Sequence, residues 1–231
     1  MKKSKYPILK QLYARRILGL FFFCLFIFFE TTAIADSKDC LDNLAKRYLF
    51  PKGAILFYER YIISATMSML GKRKLSDLAK GKIFLRPPFY IKLEQLYPSY
   101  ELVVNDGKWV WWYIPSQKIA YKYPENKFSK EMSVLKDILN GMKHIREQFY
   151  LSFKEQKEAF VFQLTPRKKW QDISRVEVYA DKHCSKIKEI RIYNLFGNIT
   201  CFKIKKQKPS LLEPQVFQFS PPEGIKVIQE R

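Results

Sequence analysis

Few residues in this 231-residue chain are of the types that make and break bonds. There are two histidines, His144 and His183, and no Gly-x-Ser-x-Gly, paired-cysteine or His-Glu-x-x-His spacing. Acid, base and nucleophile types come together at Asp181, His183 and Cys184. Asp181 and His183 could share a face, but the stretch reads as a solvated turn rather than a catalytic or metal-binding group. Arg86 suggests a different chemistry. The segment Gly81 to Leu93, GKIFLRPPFYIKL, is an apolar and aromatic strand with one permanent cation before Pro87-Pro88. A guanidinium stays charged and offers five donors in a rigid fork, so it holds acceptors rather than moving protons. The plainer reading is a surface arginine at a strand end.

The elements that would position these residues begin after an export signal. Lys2, Lys3, Lys5, Lys10, Arg15 and Arg16 precede an apolar run from Ile17 to Phe29, and Ala33-Ile34-Ala35 supplies the small residues of a cleavage site. Cleavage is expected between Ala35 and Asp36. The apolar run spans only about 20 Å as a helix, short of a ~30 Å hydrocarbon core. Cys24 lacks the small residues that a lipoprotein signal places before its cysteine. Residues 36–231 are then one exported domain with Cys40, Cys184 and Cys201, an odd number that leaves at least one thiol unpaired or bridged to another molecule. Cys201 is expected opposite roughly Ile192, too far from Cys184 for a bridge. The spacing resembles no metal site.

The chain carries 42 Lys and Arg against 22 Asp and Glu, a net charge of +20. Nucleic acid is the usual partner of so basic a chain. Export argues against it, as does the scatter of lysines between strands. Lys203 to Lys208, KIKKQK, reads as a solvated strand edge. Anionic headgroups or an acidic docking partner suit an exported basic surface better.

Periodicity predicts a helix over Lys38 to Leu49, stopped by Pro51, and then strands. Extended segments are expected at Ile55 to Met69, Gly81 to Arg86, Phe89 to Leu93, Glu101 to Val104, Trp109 to Tyr113 and Lys118 to Tyr123, with Lys72 to Lys80 a loop. Helical spacing returns over Glu131 to Met142, where Met132, Leu135, Ile138 and Leu139 form one stripe. YLSF, AFVFQLTP, RVEVYA, KIKEIRIYN, ITCFKIK and VFQFSPP read as further strands. The reading is mainly β (α+β): one strongly curved antiparallel sheet with a few short helices packed on it. Aromatics are 16% of the chain. Such residues fill a β core well, and a half-barrel lined with them could equally leave a ligand cavity.

Five segments in order resemble the LolA family of periplasmic outer-membrane lipoprotein carriers: GKIFLRPP, VVNDGKWVWWYIP, FQLTPR, YNLFGNIT and VFQFSPPEGIKVI. The resemblance implies an unclosed β half-barrel whose concave apolar face is covered by a lid of short helices. It implies a periplasmic monomer that takes triacylated lipoproteins from an inner-membrane ABC-type releasing complex to an outer-membrane acceptor, or delivers them directly to the membrane, with no cofactor. Three acyl chains carry on the order of 45 methylenes at about 0.8 kcal/mol each in water, so roughly 35 kcal/mol opposes free diffusion. Arg86 corresponds to an arginine that latches the empty lid through backbone carbonyls, and the lid falls on Glu131 to Met142. The implied acyl contacts are Phe84, Phe89, Ile91, Leu93, Trp111, Trp112 and Tyr121. The interval from Arg86 to Pro98 is one residue longer than the family pattern. The aromatic pair after Arg-Pro falls on Ile91 and Leu93, or on Tyr90 and Lys92, and alternation favours the former. Trp111 and Trp112 must face opposite ways. An aspartate common before the Gly-Asn turn is Asn194 here. The rivals are an enzyme, disfavoured by the motifs, and a lipid- or lipoprotein-binding acceptor or sensor on the same fold without shuttle activity.

Overall fold

The computed structural model describes residues 39–66, 75–88, 90–127, 129–142 and 144–230. The chain divides into two compact units, residues 1–42 and 43–231. Of the first, residues 39–42 are described, and they are helical. The expected signal at residues 1–35 lies outside the described residues. Among the described residues no helix is long and apolar enough to cross a membrane.

The second unit is built on one twelve-stranded sheet. In chain order its strands are β1 (Ala54–Ile63), β2 (Leu75–Arg86), β3 (Tyr90–Tyr97), β4 (Glu101–Asn105), β5 (Trp109–Ile114) and β6 (Ile119–Pro124). They continue with β7 (Phe149–Gln156), β8 (Ala159–Pro166), β9 (Ile173–Ala180), β10 (Ile187–Asn194), β11 (Ile199–Pro209) and β12 (Lys226–Gln229). The order across the sheet is β12-β6-β5-β4-β3-β2-β1-β11-β10-β9-β8-β7, so β12 and β7 are unpaired edges and the sheet does not close. All neighbours are antiparallel except β12, which runs parallel to β6. Helix α1 covers residues 39–47, α2 is Lys130–Leu139 and α3 is Ile145–Gln148. The mainly β, unclosed architecture expected from the sequence is the one observed.

Residues directly opposite across neighbouring strands share a face. One row on what is here called the inner face reads Leu56, Ile83, Leu93, Val103, Trp112 and Tyr121 across β1 to β6. A second reads Arg60, Phe202, Ile190, Val178, Phe162 and Phe153 from β1 to β7. The outer face is closed by the chain itself, in two ways. Over β2 to β5, Phe84, Tyr90, Leu102, Val104 and Tyr113 pack under Leu212, Val216, Phe217 and Phe219. Phe217 lies 5.3 Å from the Tyr90 ring, and Phe219 lies 5.2 Å from Tyr113 and 5.6 Å from Trp111. Over β9 to β11 the cover is polar and aromatic. Arg191 donates to Glu189 and to the Tyr179 hydroxyl, and the hydroxyls of Tyr179 and Tyr193 donate to Glu177. The Arg175 guanidinium stacks 3.7 Å from the Tyr193 ring centroid.

Two expectations need correction. The VFQFSPP segment is not a strand. Pro214 opens a 3-10 turn, Pro214–Phe217, and Pro221 and Pro222 follow. Prolines lack the N–H that a ladder needs, so the segment lies across the outer face instead. The expected loop at Lys72 to Lys80 is strand from Leu75 onward. A bulge between Arg60 and Ile62 and a left-handed Asp77 (φ 53°) let this polar stretch pair with β1 despite its lack of alternation. Lys203 to Lys208 pairs with β1 on one side and beyond Lys203 has lost β10 on the other, so this basic stretch is a local edge with Lys205, Lys206 and Lys208 exposed, as expected. Residues Lys72 to Lys74 and Met67 to Met69 lie outside the described residues. Cys201 pairs with Arg191, one residue from the expected Ile192, and is a free, fully buried thiol, while Cys184 is disulfide-bonded.

Gly81 has no room for a side chain, since a Cβ there would sit 1.8 Å from the Glu94 carbonyl oxygen. Phe217 is 0% exposed. Phe217→Ala should lower stability by about 3–5 kcal/mol, read as an earlier urea midpoint. A midpoint within experimental error of the parent would show that this segment does not seal the outer face.

Candidate functional site

The inner face is the one the sheet leaves for other elements. Helix α2 lies over it, and a cavity of about 480 Å³ remains between them. Its walls are Tyr58, Arg60 and Ile62 of β1, Leu93 and Gln95 of β3, Glu101 and Val103 of β4, Val110 and Trp112 of β5, Tyr123 of β6, and Thr200 and Phe202 of β11. Ser129, Glu131 and Met132 close it from the helix side. A cavity of this size, mostly apolar with a few convergent polar groups, is typical of small-ligand sites. A second hollow of about 570 Å³ is bounded only by residues 47–53 and 209–211 at the ends of β1 and β11, and involves none of the inner face.

Helix α2 is amphipathic and fixed at both ends. Ser129 caps it, accepting from the Met132 N–H at 3.3 Å. Leu135, Ile138 and Leu139 are fully buried, and Val134 nearly so, while Met132 turns to the cavity. After Asn140 the chain reverses at Gly141 (φ 87°), where an added Cβ would lie 3.1 Å from the Ala45 carbonyl oxygen. Of the stripe Met132, Leu135, Ile138 and Leu139 expected from helical spacing, the last three are fully buried and Met132 lines the cavity.

The other expected contacts divide by strand parity. Leu93 and Trp112 line the cavity, and Ile91 and Tyr121 stand on the same face, with Tyr121 5.5 Å from the Trp112 ring. Phe84 and Trp111 point the other way, into the outer-face packing under Phe217 and Phe219. Phe89 lies outside the described residues. Arg86 ends β2 opposite Tyr90, does not line the cavity, and donates no hydrogen bond to residues 131–142; its Nη1 is buried without a partner among the described residues. The cation that does meet the cavity is Arg60. Its Nη2 donates to Gln95 Oε1 at 3.4 Å. Gln95 Nε2 donates in turn to the Ser99 carbonyl at 3.2 Å and to Glu101 Oε1 at 3.3 Å, and Trp112 Nε1 donates to Glu101 Oε2 at 3.1 Å. The sequence held a signal for this residue. Leu56, Tyr58, Arg60 and Ile62 alternate onto one apolar face, so a charge at Arg60 is as anomalous as one at Arg86.

Asp181 accepts from the Ser185 N–H and hydroxyl and from the Lys186 N–H. Burial pushes its carboxyl up, but those bonds outweigh it and hold it below the usual range. Together with the oxidised Cys184, that makes the Asp181–Cys184 stretch a hydrogen-bonded turn. Among the described residues no group of His, Cys, Asp and Glu is placed to hold a metal ion.

The family model described as "Outer membrane lipoprotein carrier protein LolA" matches residues 69–220. The chain belongs to the LolA family. It is 23% identical over 173 residues to an outer-membrane lipoprotein carrier protein of Legionella pneumophila (strain Lens), covering 73% of this chain and 83% of that one. Against the protein of the same name from Glaesserella parasuis serovar 5 it is 23% identical over 226 residues, 96% of this chain and 99% of that one. In fold it resembles an uncharacterized conserved protein from Thermus thermophilus, with a TM-score of 0.53 at 12% identity over 84% of this chain and 99% of that one.

In this LolA-family chain the covering helix carries two carboxyls at an electrostatic disadvantage. Burial raises Glu131 above the usual range, Arg60 opposes the rise and Asp172 adds to it. Burial also raises Asp137, against His144 and Lys136 and with Glu147. Each folded-state pKa lies above the unfolded value. Protonation therefore favours the closed helix, an effect complete below the ordinary carboxylate range and lost as pH rises through the raised values. Amide exchange in α2, corrected for intrinsic rates, should be slower relative to the sheet at about pH 5 than at about pH 7. Glu131→Gln should slow it at neutral pH and flatten the difference. Identical protection of α2 in the variant and the parent at both pH values would contradict this.

Proposed function

We propose that this protein is a periplasmic carrier that shields the acyl chains of lipoproteins released from the inner membrane and delivers them to the outer membrane. The observation that carries the reading is the apolar cavity of about 480 Å³ between the inner face and α2. A methylene fills roughly the ~30 Å³ of a liquid water, so the closed cavity suits on the order of one acyl chain rather than three. Full loading requires α2 to move outward, exposing the rest of the inner face to the chains. The apolar surface uncovered on the helix and sheet is re-covered by methylenes, each worth about 0.8 kcal/mol. Loading thus exchanges one apolar partner for another, and the difference between them is small enough to run in either direction. Residues 1–35 serve as a cleaved export signal in this scheme. The partners are an ABC-type releasing complex in the inner membrane and an acceptor, or the outer membrane itself. Without residues 1–35 the chain keeps 36 Lys and Arg against 21 Asp and Glu, and that net charge of +15 favours an acidic docking face. No bond is made or broken, so the protein is not an enzyme.

Purified protein mixed with lipoprotein-loaded spheroplasts should release the lipoproteins as soluble one-to-one complexes. Lipoproteins that stay on the membrane would indicate an acceptor or sensor instead. The double variant Leu135→Asp and Ile138→Asp should abolish release while its far-ultraviolet circular dichroism keeps the sheet signal. Loss of that signal would make the two residues part of the folding core and not of a cover.

A further inference from the structure

Within the cavity, the guanidinium of Arg60 has far more hydrogen-bonding capacity than the protein uses. Of its five N–H donors, one meets Gln95 at the long distance of 3.4 Å, and Nε is buried with no partner among the described residues. No carboxylate lies within ion-pair distance of it among the described residues. Its two acidic neighbours in the cavity are otherwise placed: Glu101 is engaged by Gln95 and Trp112, and Glu131 approaches from α2. A cavity intended for hydrocarbon alone would be more stable without an unsatisfied cation, because buried donors left unpaired cost about 1–3 kcal/mol each.

We propose that Arg60 binds the ester or amide carbonyls at the root of the acyl chains, with the methylenes beyond running over Leu93, Val103, Val110 and Phe202. This rests on the carrier reading and names the chemical class it selects: a neutral, carbonyl-linked acyl amphiphile. An anionic head is the poorer fit, because Glu101 and Glu131 line the same space and would repel a phosphate or free carboxylate. A carbonyl brings the acceptor oxygens without the charge. Gln95, 7% exposed and anchored to Ser99 and Glu101, holds the guanidinium at the cavity edge and is a positioning residue.

The test compares two synthetic lipopeptides with one peptide and equal chain lengths. One is joined through ester and amide carbonyls and the other through ether and alkyl links. Palmitate is the anionic probe. Affinities are read from displacement of an apolar fluorescent dye. The parent protein should prefer the carbonyl-linked lipopeptide by about tenfold or more, the span of one charge-assisted hydrogen bond. Arg60→Leu should remove that preference, while Arg60→Lys should retain part of it. Equal binding of the two lipopeptides by the parent overturns the proposal and leaves the carrier reading intact, as does tighter binding of palmitate than of either. Failure of both lipopeptides to bind overturns both. The parent comparison decides the matter even if Arg60→Leu does not fold.

Discussion

Strand alternation sends successive side chains to opposite faces, and in this sheet the two faces are covered by different means. The outer face is completed by side chains that belong to it. The proline-punctuated segment around Phe217 seals one half, and the ladder of Arg175, Glu177, Tyr179, Glu189, Arg191 and Tyr193 seals the other. The inner face is apolar as well, but between it and the ten-residue α2 a cavity of about 480 Å³ remains. Everything proposed about function follows from that asymmetry. A sheet sealed on both faces by its own residues would be a scaffold, whereas one sealed firmly on one face and lightly on the other can open there.

The proposed carrier function needs a cover that is ordered yet replaceable. The Ser129 cap and the Gly141 reversal define where α2 begins and ends, and its buried leucines and isoleucine give it an apolar hold on the protein. Working against that hold, Glu131 and Asp137 lose hydration when the helix lies down, as their upward shifts record. Closed and open states are thereby brought closer in free energy than apolar packing alone would leave them. A ligand shifts such an equilibrium only by its differential affinity for the two states, and under the proposed function acyl chains would do so by replacing the helix on the inner face.

Much of this was legible in the sequence because period two and period 3.6 are strong signals. The strands from Gly81 to Tyr123 and from Tyr150 to Lys205, the amphipathic α2 and the family motifs all follow from residue order. What alternation could not supply was the sign of each face. Trp111 and Trp112 must point oppositely, but only the register through Val103 and Tyr121 assigns Trp112 to the cavity. Phe84 was grouped with its apolar neighbours, although its parity with Tyr90 sends it outward. The closing VFQF segment looked like a strand because its apolar spacing is two; its prolines were the better guide. Arg86 stands out as a charge among apolar residues, and by the same argument so does Arg60 one strand earlier.

The face assignment and the presence of fatty chains in the cavity can be tested together by tryptophan quenching with a lipopeptide whose acyl chains carry bromine. Trp112 faces the cavity, and Trp111 packs outward against Phe219. Binding should therefore quench the parent and the Trp111→Phe variant alike, and the Trp112→Phe variant much less. Equal quenching in the two variants, or quenching that disappears with Trp111, would place the chains elsewhere and contradict the account.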